Sequence, residues 1–231
     1  MNVAIVRPSD VPHPAVDVCI VVDVLRATTT ATVLCHRLGQ VCLVRTPDDL
    51  SQLPARPAGY ALFSELRGLV SEIPRFDNSP IQARDAELAG RMPVLVTTNG
   101  TIAVGLAAMF AAEVLLASFV NLSAVVDYVR ARGVATVAVM PAGNVKKAKR
   151  CIEDDGCADA LVARLSADAS FDVRAVIAAC RLDARIVERR ANEPNLGADI
   201  DLCFEVDAVP VVPRVADAAA QRWFDVTATR L

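Results

Sequence analysis

Several places along this 231-residue chain gather side chains able to bind or cleave an anion. At Asp23-Val24-Leu25-Arg26-Ala27-Thr28-Thr29-Thr30, a carboxylate, a guanidinium and three hydroxyls follow an apolar run. The bland reading makes Asp23 and the threonines caps for a helix. Yet an Asp inside an apolar run and three consecutive threonines at a helix start conflict with local propensity, which favours a functional site. Thr97-Thr98-Asn99-Gly100-Thr101 offers Asn99 as an N-cap, Gly100 for close backbone approach, and amides whose dipole attracts anions. Capping and phosphate binding are equally served by that turn. Ala117-Ser118-Phe119-Val120-Asn121 has the same character with fewer donors.

An irregular stretch supplies Glu65, Arg67 and the turn Phe76-Asp77-Asn78-Ser79-Pro80. Arg67 could clamp an anion bidentately, or form a surface ion pair. Glu153-Asp154-Asp155 could complement a helix dipole or supply hard oxygen ligands to Mg²⁺. The preceding Lys146, Lys147, Lys149 and Arg150 read as a solvated loop, or as a guard at an anion entrance.

The elements that must position these residues alternate. Val16 to Val24 is an apolar run suited to a central strand, followed by Ala27, Ala31, Leu34, Cys35 and Leu38 at helical spacing up to Gly39. Val41–Val44, Tyr60–Phe63, Pro93–Thr97, Val114–Ala117 and Val134–Met140 read as further strands. Ile102, Gly105, Leu106, Met109 and Phe110 mark one helical face, and Leu122, Val125, Val126 and Val129 another. Such alternation predicts an α/β fold: a mainly parallel sheet with helices on both faces, in three α/β/α layers, as one domain over residues 1–231. Ligands of open parallel sheets bind beyond the carboxyl ends of strands, where the polar clusters fall. Asp199 to Val206 suits either a strand or a helix.

Composition narrows the function. Apolar residues make up 54% of the chain but aromatic ones only 4%, so Val, Leu, Ile and Ala must build the core. The net charge of −3 gives no global pull toward nucleic acid or anionic membranes. No run reaches the ~20 apolar residues of a membrane span, and no signal peptide is evident. A cytoplasmic location is expected. Seven cysteines without a CxxC pair, and two histidines, suit buried free thiols better than zinc. There is no GxGxxG. Leu106-Ala107 stands where a P-loop needs Lys-Ser/Thr, no cysteine precedes an arginine by six, and Asp23-Val24-Leu25 lacks the second acid of a DxD phosphatase.

Taken in order, VVDVLRATTT (21–30), FDNSP (76–80), TTNGT (97–101), ASFVN (117–121), PAG (141–143), EDDGCA (153–158) and NLGADIDLC (195–203) resemble the 2-phosphosulfolactate phosphatase family. The resemblance implies an α/β hydrolase, associated with coenzyme M biosynthesis, that uses Mg²⁺ to cleave a phosphate ester of a small anionic hydroxy acid. It makes Asp23, Glu153 and Asp154 candidates for metal binding, and Asp23, Arg26, Glu65 and Arg67 candidates for catalysis. Thr28, Asn78, Ser79, Thr98, Asn99, Gly100, Thr101, Ser118 and Asn121 become candidate substrate contacts. Where the family shows Gly-Glu-Arg, this chain has Ser64-Glu65-Leu66-Arg67, with an inserted leucine. A different small phospho-acid as substrate, and a non-catalytic anion binder, are the alternatives. The partner is expected to be a small anionic molecule, and the apolar content allows a homo-oligomer.

Overall fold

Val16–Val22 (β2) forms a strand because its β-branched side chains can be buried on both faces, and Val18 to Val22 are. This computed structural model describes residues 1–66, 73–216 and 222–229. Helix α1 (Ala27–Leu38) follows β2 and ends at Gly39, whose φ of 80° is left-handed and whose amide donates to the Cys35 carbonyl. Most of the threonines at its start find carbonyls for their hydroxyls, whereas Thr30 Oγ1 is buried without a partner among the described residues. Thr29 Oγ1 donates to Val24 O (2.9 Å) and Thr32 Oγ1 to Thr28 O (2.7 Å).

The chain continues through β3 (Gln40–Val44), β4 (Tyr60–Phe63), β5 (Arg75–Phe76), α2 (Pro80–Asp85), β6 (Met92–Val96) and α3 (Gly100–Ala107). Then come β7 (Ala111–Ala117), α4 (Leu122–Arg132), β8 (Thr136–Pro141), α5 (Ile152–Leu165) and α6 (Val173–Leu182). The last elements are α7 (Ala184–Asn192), α8 (Pro194–Cys203), β9 (Val212–Val215) and β10 (Trp223–Thr229), while β1 (Asn2–Ile5) opens the chain. The ambiguous stretch at Asp199 is thus helical as far as Cys203, burying Ile200 and Cys203 on one face.

All ten strands among the described residues belong to one sheet, in the order β1-β8-β2-β7-β9-β10-β3-β6-β4-β5. Two parallel blocks, β1-β8-β2-β7 and β3-β6-β4-β5, give the mainly parallel sheet the alternation predicts. Between them, β9 and β10 pair antiparallel with their neighbours and with each other. Three antiparallel junctions in succession turn the second block head to tail against the first. The carboxyl ends of both blocks nevertheless meet, so the sheet must curl over α1 and α3. One core accordingly joins Cys19, Val21 and Leu116 of the first block, Leu43, Phe63 and Leu95 of the second, and Ala31, Leu34, Ala103 and Val104 of the two helices.

Helices cover the outer face of the first block, where Val18, Ile20 and Val22 pack with Leu122, Val125, Val129 and Leu161. Outside the second block, Val44, Leu62 and Val94 are closed over by Leu50, Leu53 and Trp223. All seven cysteines are unpaired, six of them buried, and burial pushes the Cys42, Cys151 and Cys180 thiols up to about 12. Among the described residues, no helix is long and apolar enough to cross a membrane.

Candidate active site at the joined strand ends

Where the two blocks meet, the strand ends line a cleft of about 720 Å³. The end of β2 contributes Asp23, Leu25 and Arg26, and the end of β4 contributes Ser64 and Glu65. Arg75 and Phe76 of β5, followed by Asp77 and Asn78, line it with Thr97, Thr98 and Asn99 after β6. Arg189 of α7 and Glu193 complete the far side.

Asp23 is buried, with Oδ1 accepting from the Ala27 amide (3.2 Å). Burial pushes its carboxyl up to about 7; the Ala27 and Gly100 amides oppose the rise, and the charges of Glu65 and Glu153 add to it. Glu65 Oε1 accepts from the Thr98 amide (2.8 Å) and hydroxyl (3.1 Å). Its Oε2 is buried without a partner among the described residues, as is Oδ1 of Asn78. Unsatisfied acceptors on a cleft wall are the usual sign of a missing donor or cation. Arg26 is buried between Asp199 (Nη1 to Oδ2, 2.5 Å) and Asp77 (Nη2 to Oδ2, 3.1 Å).

The turn before α3 differs from its sequence expectation. Asn99 occupies the N-cap position but makes no side-chain cap bond. Thr97 Oγ1 instead accepts from the Thr101 amide (3.2 Å), while Asn99 Oδ1 reaches out to the Val145 amide (3.0 Å) in the lysine-bearing loop. The amides expected to hold an external anion therefore already face the protein's own groups: Thr98 donates to Glu65, Gly100 faces Asp23, and Thr101 donates to Thr97. Gly100 is required here for space. A Cβ would stand 2.5 Å from Ala27 Cβ and 2.8 Å from Asp23 Oδ2. Gly100→Ala is therefore expected to cost about 1–3 kcal/mol by overpacking, read as a lowered denaturation midpoint.

Other candidates lie in the framework beneath the cleft. Thr28 Oγ1 accepts from the Asp23 amide (3.0 Å) and reaches the carbonyls of Asp23 (2.8 Å) and Ala117 (2.7 Å), tying β2 to β7. Asn121 accepts from the Ser118 amide (2.9 Å) and donates to the Leu116 and Val211 carbonyls (3.2 and 3.0 Å). Ser118 Oγ is buried without a partner among the described residues. Ser79 caps α2, accepting from the Gln82 amide at 3.0 Å. Asp154 spans two strand ends, accepting from the Val24 amide (2.8 Å) and the Gly143 amide (2.9 Å). Burial, then the charges of Asp23 and Glu153, hold its carboxyl well above the usual range. Glu153 is buried and ion-paired with Arg185. Neither Glu153 nor Asp154 lines the cleft, and no group of three or more His, Cys, Asp or Glu is arranged to hold a metal among the described residues. Arg67 lies outside the described residues.

Residues 5–218 match the family described as 2-phosphosulpholactate phosphatase. This chain belongs to that family. Within it, a Thermus thermophilus protein named "Probable 2-phosphosulfolactate phosphatase" is 42% identical over 134 residues, 57% of this chain and 55% of that protein. A Deinococcus radiodurans protein of the same name is 40% identical over 130 residues, 55% of this chain and 53% of its own length. Against those two, the matched stretch spans about half the length of the relative. A third protein of that name, from Gloeobacter violaceus, is 34% identical over 224 residues, covering 90% of this chain and 92% of the relative.

In this 2-phosphosulfolactate phosphatase family member, several residues of the site escape a motif-by-motif reading of the sequence: Arg75 and Arg189 on the cleft wall, and Asp199 behind it. Asp199 is buried against Arg26 and Ser79 although it sits inside a helical stretch of otherwise unremarked polarity. Only the NLGADIDLC segment pointed to its neighbourhood. Thr97 reads as part of the anion-binding turn, but its bond to the Thr101 amide is hidden by Asn99, the stronger capping residue by type.

Proposed function

We propose that this protein is a Mg²⁺-dependent phosphoric monoester hydrolase acting on 2-phosphosulfolactate, releasing phosphate and sulfolactate. The observation that carries the reading is the pair of carboxylates, Asp23 and Glu65, on the wall of a cleft that also holds Arg26, Arg75 and Arg189. A substrate bearing several anionic groups suits a cleft that sets three guanidiniums opposite acids.

The donor set suits Mg²⁺, which takes one or two carboxylates and completes its shell with water and phosphate oxygens. Asp23 and Asn78 Oδ1, the latter without a partner among the described residues, are hard oxygen donors of that kind. They fit the role better than Glu153 and Asp154, whose oxygens already serve Arg185 and two amides. The ion, when bound, would neutralise charge on the phosphoryl oxygens. The chain's own groups do the rest. Arg26, fixed between two carboxylates, orients the phosphate. Arg189 and Arg75 hold the other anionic groups of the substrate. Glu65, anchored by Thr98, orients the attacking water and takes its proton at Oε2.

The reading extends to one catalytic domain over residues 1–231 in the cytoplasm, serving coenzyme M biosynthesis. Phosphate release from a panel of phosphorylated three-carbon acids, with Mg²⁺ and with EDTA, tests it. We expect release from 2-phosphosulfolactate to fall at least about 100-fold on metal removal and to return with Mg²⁺. Folded protein that binds these acids but releases no phosphate would show a non-catalytic binder instead.

A further inference from the structure

Asp199 is 1% exposed and lies on α8, an element that lends no residue to the cleft wall. Its carboxylate nevertheless meets both sides of that wall. Oδ2 accepts from Arg26 Nη1 at 2.5 Å, after β2. Oδ1 accepts from Ser79 Oγ at 2.6 Å and from the Ile81 amide at 3.2 Å, at the start of α2. Ser79 in turn follows Asp77 and Asn78, which line the cleft. One buried charge therefore fixes the segments that follow β2 and β5 relative to each other.

Arg26 has another carboxylate partner, Asp77, but the two partners differ in kind. The Asp77 side chain is 44% exposed, and water screens its pull on the guanidinium. Asp199 acts in the dry interior, where an ion pair is directional and weakly screened. Nη1 and Nη2 each spend one N–H on these pairs, leaving three of the five guanidinium donors to be directed by how the two carboxylates hold the plane.

We propose that Asp199 is a positioning residue: its carboxylate sets the orientation in which Arg26 presents its remaining donors to an anion in the cleft. This rests on the phosphatase reading for its kinetic test, and on inorganic phosphate binding for a test independent of turnover.

Asp199→Asn keeps the shape and removes the charge. Its kcat/KM on the best substrate should fall about 100-fold, as expected for a misplaced binding group, and its affinity for inorganic phosphate should fall at least about 10-fold by calorimetry. The loss should disappear once Arg26 is gone: in an Arg26→Ala background, Asp199→Asn should change kcat/KM by less than about threefold. Added guanidinium should partly rescue Arg26→Ala with Asp199 intact, but not the double variant. A fold defect alone would produce neither the non-additivity nor the Asp199-dependent rescue. Should Asp199→Asn not fold, Asp199→Glu, which keeps the charge and displaces it by one methylene, carries the same expectations. The proposal is overturned if the variant binds phosphate and turns over like the parent, or if its loss persists in full without Arg26. It is also overturned if the parent protein binds no phosphate at all. If the parent binds phosphate but hydrolyses no ester, the phosphatase reading falls, while the calorimetric comparison still decides the role of Asp199.

Discussion

Asp23→Asn is expected to lower kcat/KM for phosphate release by at least about 10³-fold while making the metal-free protein more stable. The two effects share one cause. Burial holds the Asp23 carboxyl at about 7 instead of 3.8, with Glu65 and Glu153 adding to the rise. A folded value above the unfolded one means that the fold favours the protonated acid, so ionised Asp23 opposes folding increasingly as pH climbs between those values. Asparagine carries no such charge. With EDTA present, the variant should therefore gain roughly 1–3 kcal/mol at about pH 8, after allowing for a weaker hydrogen bond to Ala27, and nothing near pH 4. Urea denaturation at the two pH values reads this directly. Activity within tenfold of the parent, or a variant less stable at both pH values, would remove Asp23 from its assigned place.

The second large effect concerns stability. Glu153 is 2% exposed and its ion-pair partner Arg185 is 35% exposed, so the two ends of the pair are unequal. Removing the arginine leaves a buried carboxylate beside two others, Asp23 and Asp154, whose charges already act on one another. Removing the glutamate leaves a guanidinium that water can reach. Arg185→Ala should then cost about 2–3 kcal/mol, toward the low end for a broken buried pair because water can partly replace the arginine. Glu153→Gln should cost distinctly less. Equal losses, measured by denaturant midpoints, would mean that the pair is a surface contact.

Much of the architecture was legible because it is local. The uninterrupted apolar stretch of β2, the helical spacing up to Gly39 and the valine-rich β6 each declare themselves within a dozen residues. The reversal of the second block was not legible. It depends on β9 and β10 pairing with β7 and β3, strands more than ninety positions earlier, and period-two alternation such as Trp223 to Thr229 does not name its neighbours. The site divides in the same way. Asp23, Arg26, Thr98 and Asn99 were found as polar residues after strands and Glu65 and Asn78 in an irregular stretch, and they do share one cleft. Thr28, Ser118 and Asn121 carry the same signature, yet the side-chain hydrogen bonds of Thr28 and Asn121 run into the framework, and Ser118 Oγ is buried without a partner among the described residues. Residue type cannot distinguish a hydroxyl that serves a ligand from one that ties two strands together. Glu153 and Asp154 read equally as dipole complements or metal ligands, because acids in a first helical turn look alike in sequence; in the fold Glu153 meets Arg185 and Asp154 meets two amides.

The position of β10 bears on how the molecule is made. It is the last strand of the described chain and lies between β9 and β3, near the middle of the sheet. During synthesis both parallel blocks leave the ribosome before the strand that joins them. For that interval β3 and β9 each present an open edge that another chain could occupy. The binding cleft, whose walls come from the two blocks, has no stable geometry until β10 is laid down. A chain cut before β10 would therefore yield two unjoined half-sheets rather than a slightly shortened enzyme.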